Sequence, residues 1–220
     1  MDPQQRVFLQ ESWKAIEDAG YAPSSLSGSQ CGVYIGVAQG DYNADQYQLT
    51  DELDSYTLTG TSSSILSARI SYLLNLKGPC VSIDTACSSS LVAIAQGCDS
   101  LLNGNSNTVL AGGVCVLTTP RGHIMTSKAG MLSNDGKCHT FDQTANGFVP
   151  GEGVGVLLLK RLQDAERDGD RIYGVIKGWG INQDGSTNGI TAPSKDSQVA
   201  LQRNVYDKFR INPETITYVE

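Results

Sequence analysis

The stretch Val81–Leu91, Val-Ser-Ile-Asp-Thr-Ala-Cys-Ser-Ser-Ser-Leu, constrains the fold of this chain more than any other. Its apolar start reads as a buried strand, and Leu91, Val92, Ile94 and Ala95 open a helix-like apolar face. Only small or polar residues lie between, so strand must pass to helix through a tight turn. Cys87 falls in that turn, just before serines placed to cap and open the helix. A thiol there faces unpaired helical N–H groups and the positive end of the helix dipole, which favour a thiolate. Ala86 and Ser88 add little bulk, so a substrate carbonyl has access to the sulfur, and the N–H of Cys87 points to where an oxyanion develops. The competing reading is a small buried core residue, since cysteine is among the most buried residue types.

At 220 residues with 40% hydrophobic composition, the chain can bury one large core or two small ones. Its 24 glycines point to tight turns and close backbone contacts. A net charge of -7 argues against nucleic acid as a partner. No apolar run approaches the ~20 residues of a membrane span, and the polar start Met1-Asp-Pro-Gln-Gln-Arg6 is no signal peptide. Cys31, Cys80, Cys98 and Cys115 lie in or beside apolar segments, and no cysteine pair has Cys-x-x-Cys spacing. Reduced thiols in the cytoplasm are expected rather than a disulfide set, and with only His123 and His139 no metal site is expected.

Periodicity predicts helices over 2–19, 62–76, 88–102, 162–167 and from about 195 to Phe209. Strands are predicted at Cys31–Val37, Cys80–Asp84, Thr108–Leu117, Val154–Leu159, Ile172–Ile181 and Thr217–Val219. Residues 39–55 read as a surface loop with room for a short helix, and 118–150 as a long irregular excursion of the kind that is usually functional. Alternating strands and helices, with strands apolar on both faces, specify an α/β layer fold. Paired Gly112-Gly113 in the third strand invites close backbone approach.

A thiol nucleophile commonly needs a base, and His123 or His139 could pair with Cys87. Nothing in their spacing requires it, and a surface loop histidine fits each better. Gly151-Glu-Gly-Val-Gly155 looks like a phosphate loop but runs into a strand, so no helix N-terminus is there to hold a phosphate. Asn182-Gln-Asp-Gly185 is a polar turn without calcium-loop spacing.

Several stretches together closely resemble the β-ketoacyl synthase domain of modular polyketide synthases. They are Met1-Asp-Pro-Gln-Gln-Arg6, Asp84-Thr-Ala-Cys-Ser-Ser-Ser90, Ala111-Gly-Gly-Val114, Gly147-Phe-Val-Pro-Gly-Glu-Gly153, Asn182-Gln-Asp-Gly185 and Thr191-Ala-Pro-Ser194. Ser127-Lys-Ala-Gly-Met-Leu-Ser133 and Asn146-Gly-Phe-Val-Pro150 are more similar to the trans-acyltransferase branch. The resemblance implies a thiolase-like fold, two α/β halves stacked in five alternating layers. Here residues 1–160 would supply most of the N-terminal half and 161–220 the start of the C-terminal half. It implies a homodimer paired through strand 80–84, and an acyl carrier protein as partner. No cofactor is expected to bind directly; the phosphopantetheine arm comes from that carrier. Cys87 would accept the acyl chain as a thioester, with its N–H in the oxyanion hole. Phe148 resembles a substrate-binding aromatic lining the site, against the alternative of a loop-anchoring aromatic. Thr191 resembles a hydroxyl that bonds the phosphopantetheine arm, against an ordinary turn residue.

Departures from the family pattern qualify this. The family's elongation chemistry uses two histidines, the first in a His-Gly-Thr-Gly-Thr stretch after a strand ending Val-Glu-Ala. This chain reaches Val219-Glu220 and stops, and the family's first strand would precede Met1. The expectation is an internal piece of a larger synthase, inactive by itself in decarboxylative Claisen condensation. Cys115 stands where the family often has Asn. The alternatives are a non-elongating ketosynthase that only transfers or gates acyl chains, a dimerisation scaffold, and, more remotely, a cysteine hydrolase using His123 or His139.

Overall fold

A computed structural model describes residues 1–42 and 54–220. Most of the loop expected at 39–55 lies outside the described residues. The chain divides into two compact units, Met1–Asp164 and Ala165–Glu220.

The larger unit begins with α1 (Pro3–Asp18). Asp2 caps it, its carboxylate accepting the Gln4 N–H at 2.8 Å, and Pro3 sits at the first helical position where its missing N–H costs nothing. β1 (Cys31–Gly36) follows, then the short α2 (Thr57–Thr61), α3 (Ser63–Leu74), β2 (Cys80–Ile83) and α4 (Ser89–Leu102). β3 (Thr108–Cys115), α5 (Arg121–Lys128), β4 (Gly153–Lys160) and α6 (Leu162–Asp168) complete the sequence up to the unit boundary, which falls within α6.

The four strands form one sheet in the order β2-β1-β3-β4, with β1 parallel to β2 and β3, and β4 antiparallel to β3. Central β1 is buried along its whole length, and its alternation sorts the core into two faces. Cys31, Val33 and Ile35 pack with Phe8 and Ile16 of α1 and Leu66 and Ile70 of α3. Tyr34 turns the other way, toward Ala93 and Leu101 of α4. Helices therefore cover both faces of the sheet, as the two-sided apolar strands require.

Arg161 ties one end of this unit together. Its guanidinium donates to the carbonyls of Leu101 and Ser106, both at 2.9 Å, to Asn107 at 3.1 Å and to Asp164 at 2.6 Å. The last turn of α4, the entry to β3 and the exit of β4 thus converge on one planar donor fork.

Three expectations need correction. Residues 118–150 contain α5, whose Ile124 and Met125 are exposed, so it carries no buried stripe for periodicity to detect. In the smaller unit, 172–181 has no regular structure and forms no ladder among the described residues. Gly178 and Gly180 instead bring that segment against Leu201, Val205 and Phe209 of α7 (Lys195–Phe209), and Trp179 meets the Phe209 ring at 4.7 Å. An apolar run can be satisfied by a helix face as well as by strand neighbours, and periodicity does not separate the two. Thr217–Val219 likewise forms no strand; it follows a short turn at Pro213–Thr215.

Candidate active site

Cys87 lies in the connection from β2 to α4 and is exposed. The connection is a single turn, Ala86–Ser88, entered through Ala86 at φ 55°. A left-handed conformation at a non-glycine residue costs about 1 kcal/mol or more, and it persists where the surroundings over-determine it. Those surroundings are a lattice of short polar side chains. Asp84 accepts the Ala86 N–H at 3.0 Å. The Ser89 hydroxyl accepts the Thr85 N–H at 2.8 Å and donates to the Ala86 carbonyl at 2.6 Å. Ser88 donates to the Thr85 carbonyl at 3.0 Å, and its hydroxyl meets that of Thr85 at 2.9 Å.

The serines therefore act differently from the capping expected of them. Ser88 occupies the cap position of α4 without making a side-chain cap bond, while buried Ser89 closes the turn. The result is a strand–turn–helix elbow that lifts one thiol into the open at the carboxyl ends of the parallel strands β1, β2 and β3, where α/β proteins place their ligands.

Two glycines let the elbow sit directly on the sheet. A Cβ at Gly36, the last residue of β1, would run into the backbone of Ser89 and Ser90. One at Gly113 of β3 would come within 2.7 Å of the Ser90 Cβ. The first turn of α4 thus rests on bare backbone of both strands, and Val37 N–H donates to the Ile83 carbonyl at 2.9 Å just below the turn.

Three of the other thiols, Cys31, Cys98 and Cys115, have raised pKa values. Burial pushes Cys31 up to about 11, against a smaller opposing effect of its Leu110 backbone bond. Burial, with Asp99 beside it, raises Cys98 to about 11 as well. Cys115 is raised by desolvation and then by the nearby Glu152 and Asp41 carboxylates. All three are poor nucleophiles at neutral pH.

Neither histidine bonds to Cys87 among the described residues. His139 Nε2 is held by Asp135 at 2.8 Å, and His123 is exposed on α5. Asp135 is a hub in its loop: Ser133 donates to it at 2.6 Å and Asn146 at 3.2 Å, and with His139 these hold its carboxyl well below the usual carboxylate range. Phe148 belongs to the same loop. Its N–H donates to Met131 at 3.0 Å and its carbonyl accepts from Ser133 at 2.9 Å, while 41% of the residue stays exposed. Its backbone is anchored and its ring is not core. No hydrogen bond or ring contact joins Phe148 to Cys87 among the described residues. Thr191 belongs to the smaller unit, exposed in the loop ahead of α7.

Sequence reasoning missed the strained Ala86, the Ser89 bracket and the Asp135 hub. The close approach at Gly113 was signalled by the paired glycines of β3; Gly36 carried no comparable signal.

Known proteins resemble this chain along its whole length. The family profile "Beta-ketoacyl synthase, N-terminal domain" matches residues 1–165, and "Beta-ketoacyl synthase, C-terminal domain" matches 173–220. Polyketide synthase PksL of Bacillus subtilis (strain 168) is 53% identical over the whole chain, which spans 5% of PksL. A phenolphthiocerol/phthiocerol polyketide synthase of Mycobacterium tuberculosis (strain ATCC 25618 / H37Rv) is 45% identical, the chain spanning 14% of it. Among solved structures, the ketosynthase from module 6 of the bacillaene synthase of Bacillus subtilis 168 superposes with a TM-score of 0.92 at 53% identity, over all of this chain and 38% of that one. The oxazolomycin ketosynthase domain from Streptomyces albus JA3453 gives 0.92 at 34% identity, with the same coverage.

The fold is thiolase-like, that of the ketosynthase domains it superposes on. The chain belongs to the β-ketoacyl synthase family and is ketosynthase sequence of the polyketide synthase kind.

Proposed function

We propose that Cys87 is the acyl-accepting nucleophile of a polyketide-chain-extending acyltransferase. The observation that carries this is its place on the elbow: an exposed thiol on a strained turn, braced from below by Gly36 and Gly113. In the first step the thiolate attacks the thioester carbonyl of an acyl group borne on the phosphopantetheine arm of an acyl carrier protein. The carrier thiol leaves, and a cysteine thioester forms. The Cys87 N–H is suited to the oxyanion of the tetrahedral intermediate. In the second step a carrier-bound malonyl unit loses CO2, and the resulting enolate attacks the Cys87 thioester. A carbon–carbon bond forms and the cysteine thiolate departs.

That second step needs groups to stabilise the enolate, and His123 and His139 do not furnish them beside Cys87. The 220-residue chain is thus expected to become acylated without condensing. Phe148 is assigned to the substrate side and Thr191 to the phosphopantetheine arm, both on family resemblance. The trans-acyltransferase branch and a cytoplasmic setting rest on the same footing. No described helix is long and apolar enough to cross a membrane. Residues 1–160 and 161–220 are read as portions of the N- and C-terminal ketosynthase halves. β2 borders the sheet with one edge unpaired among the described residues, which supports homodimerisation through residues 80–84.

Incubation with an acyl N-acetylcysteamine thioester, followed by peptide mass analysis, tests the assignment. The acyl mass is expected on the Cys87 peptide, to vanish in Cys87→Ala and to persist in Cys138→Ala. Acylation that survives Cys87→Ala would sink it.

A further inference from the structure

Four successive amides beyond β3 donate to side chains from three distant parts of the larger unit. Val116 N–H donates to Gln4 Oε1 at 3.2 Å and Leu117 N–H to Glu152 Oε1 at 2.6 Å. Thr118 and Thr119 N–H donate to the two carboxylate oxygens of Asp41 at 3.0 and 2.9 Å, and both threonine hydroxyls join the same carboxylate. An ordinary loop leaves such groups to water. Here a segment without regular structure has all four amides bonded, three of them to carboxylates by charge-assisted bonds.

Val116 and Leu117 of this segment form one wall of a cleft of about 500 Å3, whose other sides come from 38–41, Asp41 included, and from α5. Ala38, Val116, Leu117 and Met125 give it an apolar interior. Its position follows from the sheet. Ala38 and Cys115 line it, and they stand two residues beyond Gly36 and Gly113, the glycines on which the start of α4 rests. Cleft and elbow therefore share the carboxyl ends of β1 and β3.

We propose that Asp41 is a positioning residue: by clamping Thr118 and Thr119, which join the lining residues Val116 and Leu117 to α5, it fixes the cleft against which the acyl chain delivered to Cys87 is laid. Gln4 and Glu152 secure the residues just before, so the clamp at Asp41 is the last tie before α5 begins. Loss of that tie lets the wall and the first turn of α5 drift while the sheet and elbow stay intact. The consequence is weaker capture of the acyl chain, not a weaker nucleophile. This rests on the reading of Cys87 as the acyl acceptor.

The test compares the unsubstituted chain with Asp41→Ala and Asp41→Asn, with hexanoyl-N-acetylcysteamine as acyl donor. Acylation of Cys87 is followed against donor concentration, alongside alkylation of Cys87 by iodoacetamide and amide hydrogen exchange across 116–119. In Asp41→Ala exchange is expected to quicken at Thr118 and Thr119, and the half-saturating donor concentration to rise about tenfold. The maximal acylation rate and the iodoacetamide rate should stay within about twofold, the pattern of a lost binding contribution. Asn keeps one acceptor oxygen and is expected to fall between. Exchange quickened with an unchanged half-saturating concentration would overturn the proposal, as would a parallel fall in the iodoacetamide rate, which marks a general disturbance. An unsubstituted chain that takes no acyl group at Cys87 sinks the acceptor reading itself, and the positioning role with it.

Discussion

The Ser89 hydroxyl donates to the carbonyl of Ala86 at 2.6 Å, bridging from the first turn of α4 to the residue held at φ 55°. Because the same hydroxyl accepts the Thr85 N–H, one buried oxygen fixes both ends of the turn that carries Cys87. Ser89→Ala leaves the Thr85 N–H and the Ala86 carbonyl without these partners. The expected cost is about 1–3 kcal/mol of stability, read by urea denaturation. The elbow also loosens, so Cys87 alkylation should change more than that of Cys138, which sits in a separate loop. Equal effects on both thiols would show that Ser89 serves stability alone.

Gly36 allows no substituent. A Cβ there would overlap the backbone of Ser89 and Ser90, and backbone cannot swing aside as a flexible side chain can. Gly36→Ala forces α4 off the sheet or bends β1, and a destabilisation of about 3 kcal/mol or more follows. Gly20→Ala is the control: it meets nothing within 4 Å, and its cost comes from its φ of 84° alone. Melting temperatures of the two variants separate packing from backbone strain. A Gly36→Ala chain as stable as Gly20→Ala would refute the close seating of the helix.

How far these features could be read from sequence depends on the range of the interaction that makes them. β2, the turn and α4 were legible because each leaves a local mark: an apolar run, small residues, then helical spacing. The two-sided burial of β1 was legible for the same reason. α5 left no mark because its apolar residues face outward, and 172–181 left the wrong one because an apolar run packed against α7 has the composition of a strand. The clamp on 116–119 was out of reach. Gln4 and Val116 are 112 positions apart and joined through a side-chain oxygen, an arrangement that no periodicity encodes. The stretches that carry Gln4 and Glu152 stood out in the sequence, as a polar start, a glycine-rich strand entry and family motifs, but nothing in them pointed to a shared contact. The structure supplies a physical reason for them, since Gln4 and Glu152 converge with Asp41 on one segment of backbone.

Asp41 also makes stability depend on pH. Partial desolvation works to raise its carboxyl, but the hydroxyls and amides of Thr118 and Thr119 outweigh it and bring the group from 3.8 to about 2. A folded value below the unfolded one means that the unfolded chain takes up the proton first on acidification. The contribution of Asp41 is therefore complete above about pH 4 and is lost as pH falls toward 2. Asp41→Asn should lower the melting temperature near neutrality and flatten its decline over that acid window. A decline as steep as that of the unsubstituted chain would assign the acid limb to other carboxylates, Asp135 among them.

Arg161 offers the sharpest contrast between charge and shape. Two of its bonds, both at 2.9 Å, reach carbonyls, those of Leu101 at the end of α4 and Ser106 ahead of β3, and both need a donor whether or not an acid is near. Lysine keeps the charge but has a single nitrogen, which cannot span both carbonyls, Asn107 and Asp164 together. If shape dominates, Arg161→Lys should lose much of what Arg161→Met loses, about 2–3 kcal/mol in urea denaturation. If the ion pair with Asp164 dominates, lysine should restore most of the stability, and Asp164→Asn should match Arg161→Met. The pair is partly exposed, which limits what it contributes, whereas the carbonyls close the seam between a helix end and a strand start. The expected order is therefore Arg161→Met close to Arg161→Lys, with Asp164→Asn well behind and progressively less affected as salt is added.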